Sequence, residues 1–345
     1  MPSNQTSHET TPEMAPSEPS ENFYAYSIPR HSALRHSRKL IGSAIFFVCL
    51  IAILGLIIAY VPKIALRPTE TQTAAAATTQ SDYFKDLSLN ALGVYVFDVT
   101  TDKELFTKNA EAQLPLASIT KIMLVLAVSE VLPLDGTVTI SRSAVQRGGG
   151  GLTLDEVWNT RDLIDFTLIT SSNTGAIALG EAADALLRAK YPDAPENSAA
   201  VWRMNALARE LGMNQTFFIN ESGLDESATQ AGAMSSAHDV AKMFEYVLRT
   251  NRNLFSGTAR TDVQLAPSNF HGRDAINTND ALRDIPDLIM GKTGTTDLAG
   301  GNLAIAFNAV PDHPVIIVVL GSTPEGRFAD IKKLVATTQE TISAR

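Results

Sequence analysis

A chain of 345 residues with 45% hydrophobic content is long enough for one large domain or two small ones. Its net charge of -9 is unevenly spread: six of the 28 basic and five of the 37 acidic residues precede Asp82, so the remainder carries about ten net negative charges. That balance excludes a nucleic-acid binder and adhesion to anionic lipid by charge alone, and the single cysteine, Cys49, excludes a disulfide framework.

Residues 1–39 are dominated by Ser, Thr, Glu, Pro and Asn. Such a segment cannot bury enough surface to offset its ordering entropy and is expected to be a disordered arm. Residues 40–61 then form an uncharged run, which as a helix spans roughly 33 Å, enough for the hydrocarbon core. A cleaved signal peptide has a shorter apolar stretch and a shorter leader, so an uncleaved transmembrane helix is expected, although the alanines at 74–77 could serve a processing enzyme. Arg30, Arg35, Arg38 and Lys39 precede the span, against Lys63 and Arg67 after it. The positive-inside rule therefore puts the arm in the cytoplasm and everything after Val61 outside. Residues 62–81 are small and polar and read as a tether, leaving 82–345 as the extracytoplasmic domain.

Within that domain no repeat of 20 to 50 residues is evident. Residues 92–99 predict a strand, 100–103 a turn and 104–108 the second arm of a hairpin. The stretch 114–132 predicts a helix whose positions after Lys121 are mostly apolar with no polar stripe, the pattern of a helix enclosed by its own domain. Pro115, Ser118 and Lys121 at its start argue against a membrane span. A short strand at 137–140 follows, and the glycine run at 147–151, without the Gly-Lys-Ser/Thr ending of a phosphate loop, is expected to be a flexible loop. Helices are predicted at 161–172, 174–190, 197–211 and 235–250, strands at 288–293, 302–309 and 314–320, and a final helix at 329–343. Strands at both ends with a helical block between them predict an α+β fold, one sheet assembled from both chain ends beside a helical subdomain, with a cleft between.

Three short signals fall where that cleft would need them. Ser118 and Lys121 share one face of a helix. A serine hydroxyl is a poor nucleophile until a base takes its proton, burial lowers a lysine's pKa, and a helix N-terminus favours developing negative charge. Ser171-Ser172-Asn173, at a helix junction, offers a hydroxyl for proton relay and an amide to hold a substrate backbone, or else an ordinary cap. Lys292-Thr293-Gly294 at the end of a strand offers a cation, a hydroxyl and bare backbone to an extended peptide ending in a carboxylate, or else an edge guarded by a lysine. His238, His271 and His313 are widely spaced, with no His-x-x-x-His pair, so neither a metal nor another cofactor is expected. His313 is expected in a hairpin turn and His238 on a helix surface.

The set Ser-x-x-Lys, Ser-x-Asn and Lys-Thr-Gly, in that order, resembles the penicillin-recognising serine enzymes. Within that group the chain is most similar to the low-molecular-weight D-alanyl-D-alanine carboxypeptidases, through Met204-Asn205, residues 211–218, Asn220, Gly223-Leu224-Asp225, residues 235–240, Asn277-Thr278-Asn279 and Gly326-Arg327. The resemblance covers nearly all of 85–340. It implies a beta-lactamase/DD-peptidase-like fold and serine acyl transfer on peptidoglycan stem peptides ending in D-Ala-D-Ala, with beta-lactams as inhibitors. Carried over residue by residue, Ser118 is the nucleophile and Lys121 its base. Ser171 passes a proton to the departing D-alanine with help from Lys292, and Asn173 holds the acyl chain. The backbone N–H groups of Ser118 and Thr295 form the oxyanion hole. Lys292, Thr293 and Gly294 bind substrate, with Arg327 near its carboxylate.

The chain departs from the family at Thr295 and Thr296, where an aromatic residue or histidine is common, and the N-terminal span would replace the C-terminal anchor of many relatives. Endopeptidase action on cross-links would use the same residues. A class A beta-lactamase would need an added glutamate; Glu210 lies near the right place, but residues 211–213 read as a helix stop. An inactive wall-binding relative would be expected to lose Ser118 or Lys121, and both are present.

Overall fold

The computed structural model describes residues 83–344. The predicted arm, span and tether lie outside the described residues. Strands β1 (Gly93–Asp98), β2 (Lys103–Lys108), β3 (Leu288–Thr296), β4 (Gly300–Asn308) and β5 (Pro314–Ser322) form one antiparallel sheet in the order β3-β4-β5-β1-β2. The pairing of β1 with β5, from Gly93 opposite Leu320 to Asp98 opposite Val315, is what joins the two ends of the domain.

Seven helices of seven or more residues accompany the sheet among the described residues: α1 (Thr120–Ser129), α2 (Arg142–Gly148), α3 (Thr160–Ile169), α4 (Asn173–Lys190), α5 (Ala199–Glu210), α6 (Ala237–Thr250) and α7 (Gly326–Ser343). The sheet is covered on one face by α6 and on the other by α7. Along β5, Ile316, Val318 and Leu320 enter the core shared with the helical block, while Val315, Ile317 and Val319 pack with Ile331, Leu334 and Val335 of α7. Burial on both faces explains why β5 is a continuous apolar run rather than an alternating one. Helix α1 packs against α4 and α5 and is buried from Thr120 to Val128, so its lack of a polar face has the expected cause.

The predicted helix at 114–132 begins later than expected. Leu114–Pro115 is a short strand paired with Ala233–Ser235, a 3-10 turn covers Ala117–Ile119, and only then does α1 start. Proline lacks an amide hydrogen and restrains the residue before it, but apolar composition alone does not separate a buried strand from a buried helix. Helix α3 stops at Ile169, before the predicted 172, because Ser171 takes a φ of 60°. The glycine run is also corrected: Arg147 and Gly148 end α2, with Gly149 as its left-handed cap. The hairpin of Asp262–Leu265 with Arg273–Ile276 has no counterpart in the sequence reading, being short and largely polar.

Candidate active site

The segment ahead of Ser118 is held from several sides. The Leu116 amide donates to the Ala233 carbonyl at 2.9 Å, and Ala117 is forced to a φ of 49°, which an alanine rarely adopts. Two glycines make room for this turn. A Cβ on Gly223, itself at φ 77°, would stand 2.0 Å from the Ala117 carbonyl oxygen, and one on Gly294 would stand 2.9 Å from that of Leu116. The nucleophile candidate therefore sits in a strained turn clamped between the 220s loop and β3, a pattern characteristic of functional sites.

Lys121, one turn further on, is fully buried. Its Nζ lies 2.7 Å from Ser118 Oγ, 2.8 Å from Asn173 Oδ1 and 2.9 Å from the Ser222 carbonyl oxygen. None of these partners is a carboxylate. Burial, reinforced by the nearby Lys292 cation, pushes the Lys121 amine well below the ordinary lysine value.

Ser171 occupies the three-residue corner between α3 and α4, with Ser172 capping α4 through the Gly175 amide at 3.0 Å. Lys292 Nζ crosses from β3 to donate to Ser171 Oγ and to the Thr293 carbonyl, each at 2.9 Å. The lysine is buried, so it is not a charge guarding an exposed edge. Burial first, and then Arg327, lower its pKa from 10.5 to about 7. In this window the unfolded chain binds a proton that the folded chain does not, so stability contributed through Lys292 rises with pH from about 7 to 10.5. Urea midpoints of wild type and Lys292→Met between pH 6.5 and 9.5 are expected to show wild type gaining relative to the variant as pH rises (roughly the interval between folded and unfolded lysine values); parallel curves would refute it.

The remaining predicted residues cluster at the same place. Gly294 and the exposed Thr295 follow on β3, and Arg327, in the first turn of α7 rather than ahead of it, donates to the Gly294 carbonyl at 2.8 Å and to Thr295 Oγ1. Thr293 is buried and its hydroxyl is engaged by that of Thr278, so the hydroxyl expected for substrate faces a protein partner. Glu210 stands elsewhere: it ends α5 and pairs with Arg203, 2.5 Å away, which also holds Glu130.

Sequence reasoning assigned no duty to three supporting residues, Asn220, Asp225 and Asn302. The Ser222 carbonyl reaches Lys121 because Asn220 Oδ1 accepts the amides of Ser222 and Gly223, at 3.1 and 2.7 Å. Asp225 accepts Thr296 Oγ1 at 2.9 Å and the Leu298 amide at 3.1 Å, joining the 220s loop to the β3–β4 turn. Asn220 and Gly223-Leu224-Asp225 belong to the family resemblance, but nothing in their spacing assigns such duties. Asn302 gave no signal at all.

Two lysine–serine pairs sharing one amide-lined site, on a sheet closed by both ends of the domain, are the arrangement of the penicillin-recognising fold. The chain belongs to the S11 peptidase family, D-alanyl-D-alanine carboxypeptidase, whose profile matches residues 76–323. It is 28% identical over 257 residues to the D-alanyl-D-alanine carboxypeptidase DacF of Bacillus subtilis, covering 72% of this chain and 62% of that one, so it spans less than two thirds of that relative. A D-alanyl-D-alanine endopeptidase of Escherichia coli is 27% identical over 277 residues, covering 77% of this chain and 82% of that one. Among solved structures, ampicillin-bound penicillin-binding protein D2 of Listeria monocytogenes matches with a TM-score of 0.60 and 26% identity, over 73% of this chain and 98% of that one.

Proposed function

We propose that the protein is a serine-type D-Ala-D-Ala carboxypeptidase that trims peptidoglycan stem peptides through an acyl-enzyme on Ser118. The observation that carries this reading is the Lys121 environment: a fully buried amine 2.7 Å from Ser118 Oγ, with no carboxylate to hold it charged. A neutral amine has two N–H groups for Asn173 Oδ1 and the Ser222 carbonyl, which leaves its lone pair for the Ser118 proton.

Ser118 Oγ attacks the carbonyl of the penultimate D-alanine as Lys121 takes its proton. The resulting oxyanion is received by the Ser118 and Thr295 backbone N–H groups, each such donor being worth roughly 3 to 4 kcal/mol of barrier. When the C–N bond breaks, the leaving nitrogen takes a proton from the Ser171 hydroxyl, which is replenished by the proton that Lys121 took from Ser118, while Lys292 holds the Ser171 oxygen. Asn173 orients the acyl chain, and Arg327 supplies positive charge for the terminal carboxylate, with Lys292 behind it. Water then hydrolyses the ester.

The test is release of D-alanine from a synthetic peptide ending in D-Ala-D-Ala, blocked by prior exposure to benzylpenicillin. No release, with cleavage of a cross-linked dimer peptide instead, would favour the endopeptidase reading, which the Escherichia coli relative's name supports. Against a class A beta-lactamase mechanism stands Glu210, whose carboxylate is spent on Arg203. Glu210→Gln is expected to leave turnover within about twofold, as a surface substitution does, and a hundredfold loss would reverse this assignment.

Residues 40–61 anchor the domain to the bacterial cytoplasmic membrane with the catalytic part outside, a reading supported by the length and flanking charges of that run. Among the described residues, no helix is long and apolar enough to cross a membrane. Release of the protein from membranes by carbonate alone would count against the anchor.

A further inference from the structure

Asn302 is fully buried and uncharged and takes no part in the chemistry above, yet its side chain makes three hydrogen bonds. Nδ2 donates to the carbonyls of Pro115 at 2.9 Å and Leu116 at 3.1 Å, and Oδ1 accepts the Gly321 amide at 2.8 Å. The residue lies where the β4–β5 register slips, between Gly301 and Leu303. Such an irregularity leaves ladder groups without their usual partners. Here the side-chain amide takes up one of them and reaches the turn that carries Ser118.

Across the other edge of β4, Asn302 stands directly opposite Gly294 of β3. The Gly294 backbone runs against the same turn: a Cβ built on it would lie 2.9 Å from the Leu116 oxygen and 3.2 Å from the Ser118 nitrogen. One side chain thus ties the segment preceding Ser118 to the strand pair whose next residue is Thr295.

We propose that Asn302 is a positioning residue for the oxyanion hole, setting the separation between the Ser118 and Thr295 N–H groups. The inference rests on the acyl-transfer reading of those two residues. Both donors must meet one developing oxygen at about 2.7–3.1 Å, and Ser118 follows the anchored Leu116 carbonyl with only the strained Ala117 between. Releasing the two carbonyls frees that turn, and a shift near 1 Å costs about a hundredfold in rate. Asparagine suits the position because one planar group supplies two N–H donors and, at its other end, an acceptor. Aspartate would set a carboxylate against two carbonyl oxygens.

The test uses the full chain in detergent, as wild type, Asn302→Ala and Asn302→Asp. Active sites are counted by the benzylpenicillin adduct, and acylation rates are expressed per counted site. Affinity for a phenylboronic acid, whose tetrahedral adduct on a serine places an oxygen in the hole, is measured alongside. Acylation is expected to fall about 30- to 100-fold per site, with boronate affinity falling in parallel and the pH profile unmoved because Lys121 is untouched. A lower count of active sites with wild-type rate per site would make Asn302 merely structural and overturn the proposal, as would failure of both variants to fold. Wild type that takes no adduct would instead overturn the acyl-transfer reading beneath it.

Discussion

Benzylpenicillin is expected to leave a lasting mass adduct on the wild-type protein and none on Ser118→Ala. The alanine removes the only atom that forms the ester, while the turn around it is held by bonds to Leu116 and by the packing of Gly223 and Gly294, none of which involves the serine hydroxyl. The fold should therefore persist, and the acylation rate should drop by about a millionfold, as when the nucleophile of a well-studied serine protease is removed. Intact mass of both proteins after the same exposure reads the result directly. An adduct on the variant would place the ester elsewhere. Penicillin consumed by wild type without a lasting adduct would favour beta-lactamase action, and neither adduct nor consumption would favour a binding module.

Lys121→Met is expected to slow acylation by about a thousandfold, within the range for losing a positioned general base. Methionine fills a similar volume and removes a buried amine, but it leaves Asn173 Oδ1 and the Ser222 carbonyl without their donor. Each unmade bond costs about 1–3 kcal/mol, set against relief from burying the amine, so stability should change far less than rate. The discriminating readout is pH. Wild-type acylation should decline as acid protonates Lys121, whose pKa burial and Lys292 have lowered, whereas the residual rate of the variant should lack that limb. An unchanged profile would show that Lys121 is not the base.

The sequence by itself determined the elements whose signal is local. The span at 40–61 lies outside the described residues and stays a proposal. The apolar run of β5, the enclosed α1, and the order of strands, helices and strands that requires one sheet from both ends of the domain each follow from residues adjacent in the chain. Ser118 and Lys121 were legible for the same reason, being three residues apart. Ser171, Asn173, Lys292, Gly294 and Arg327 were legible only as short patterns carried by a family resemblance, because their spacing says nothing about distance in space.

Only the tertiary structure decided how those residues are used. Burial is a property of what surrounds a side chain, so the neutralising environments of Lys121 and Lys292, and the turning inward of Thr293 toward Thr278, arise from packing between segments far apart in sequence. The strain at Ala117 and Ser171 has no local cause in alanine or serine and is imposed by neighbours. Asn302 is the clearest case: an asparagine in a strand reads as nothing in particular, and it acquires a duty only where a slipped register sets its amide between Gly321 and the carbonyls before Ser118.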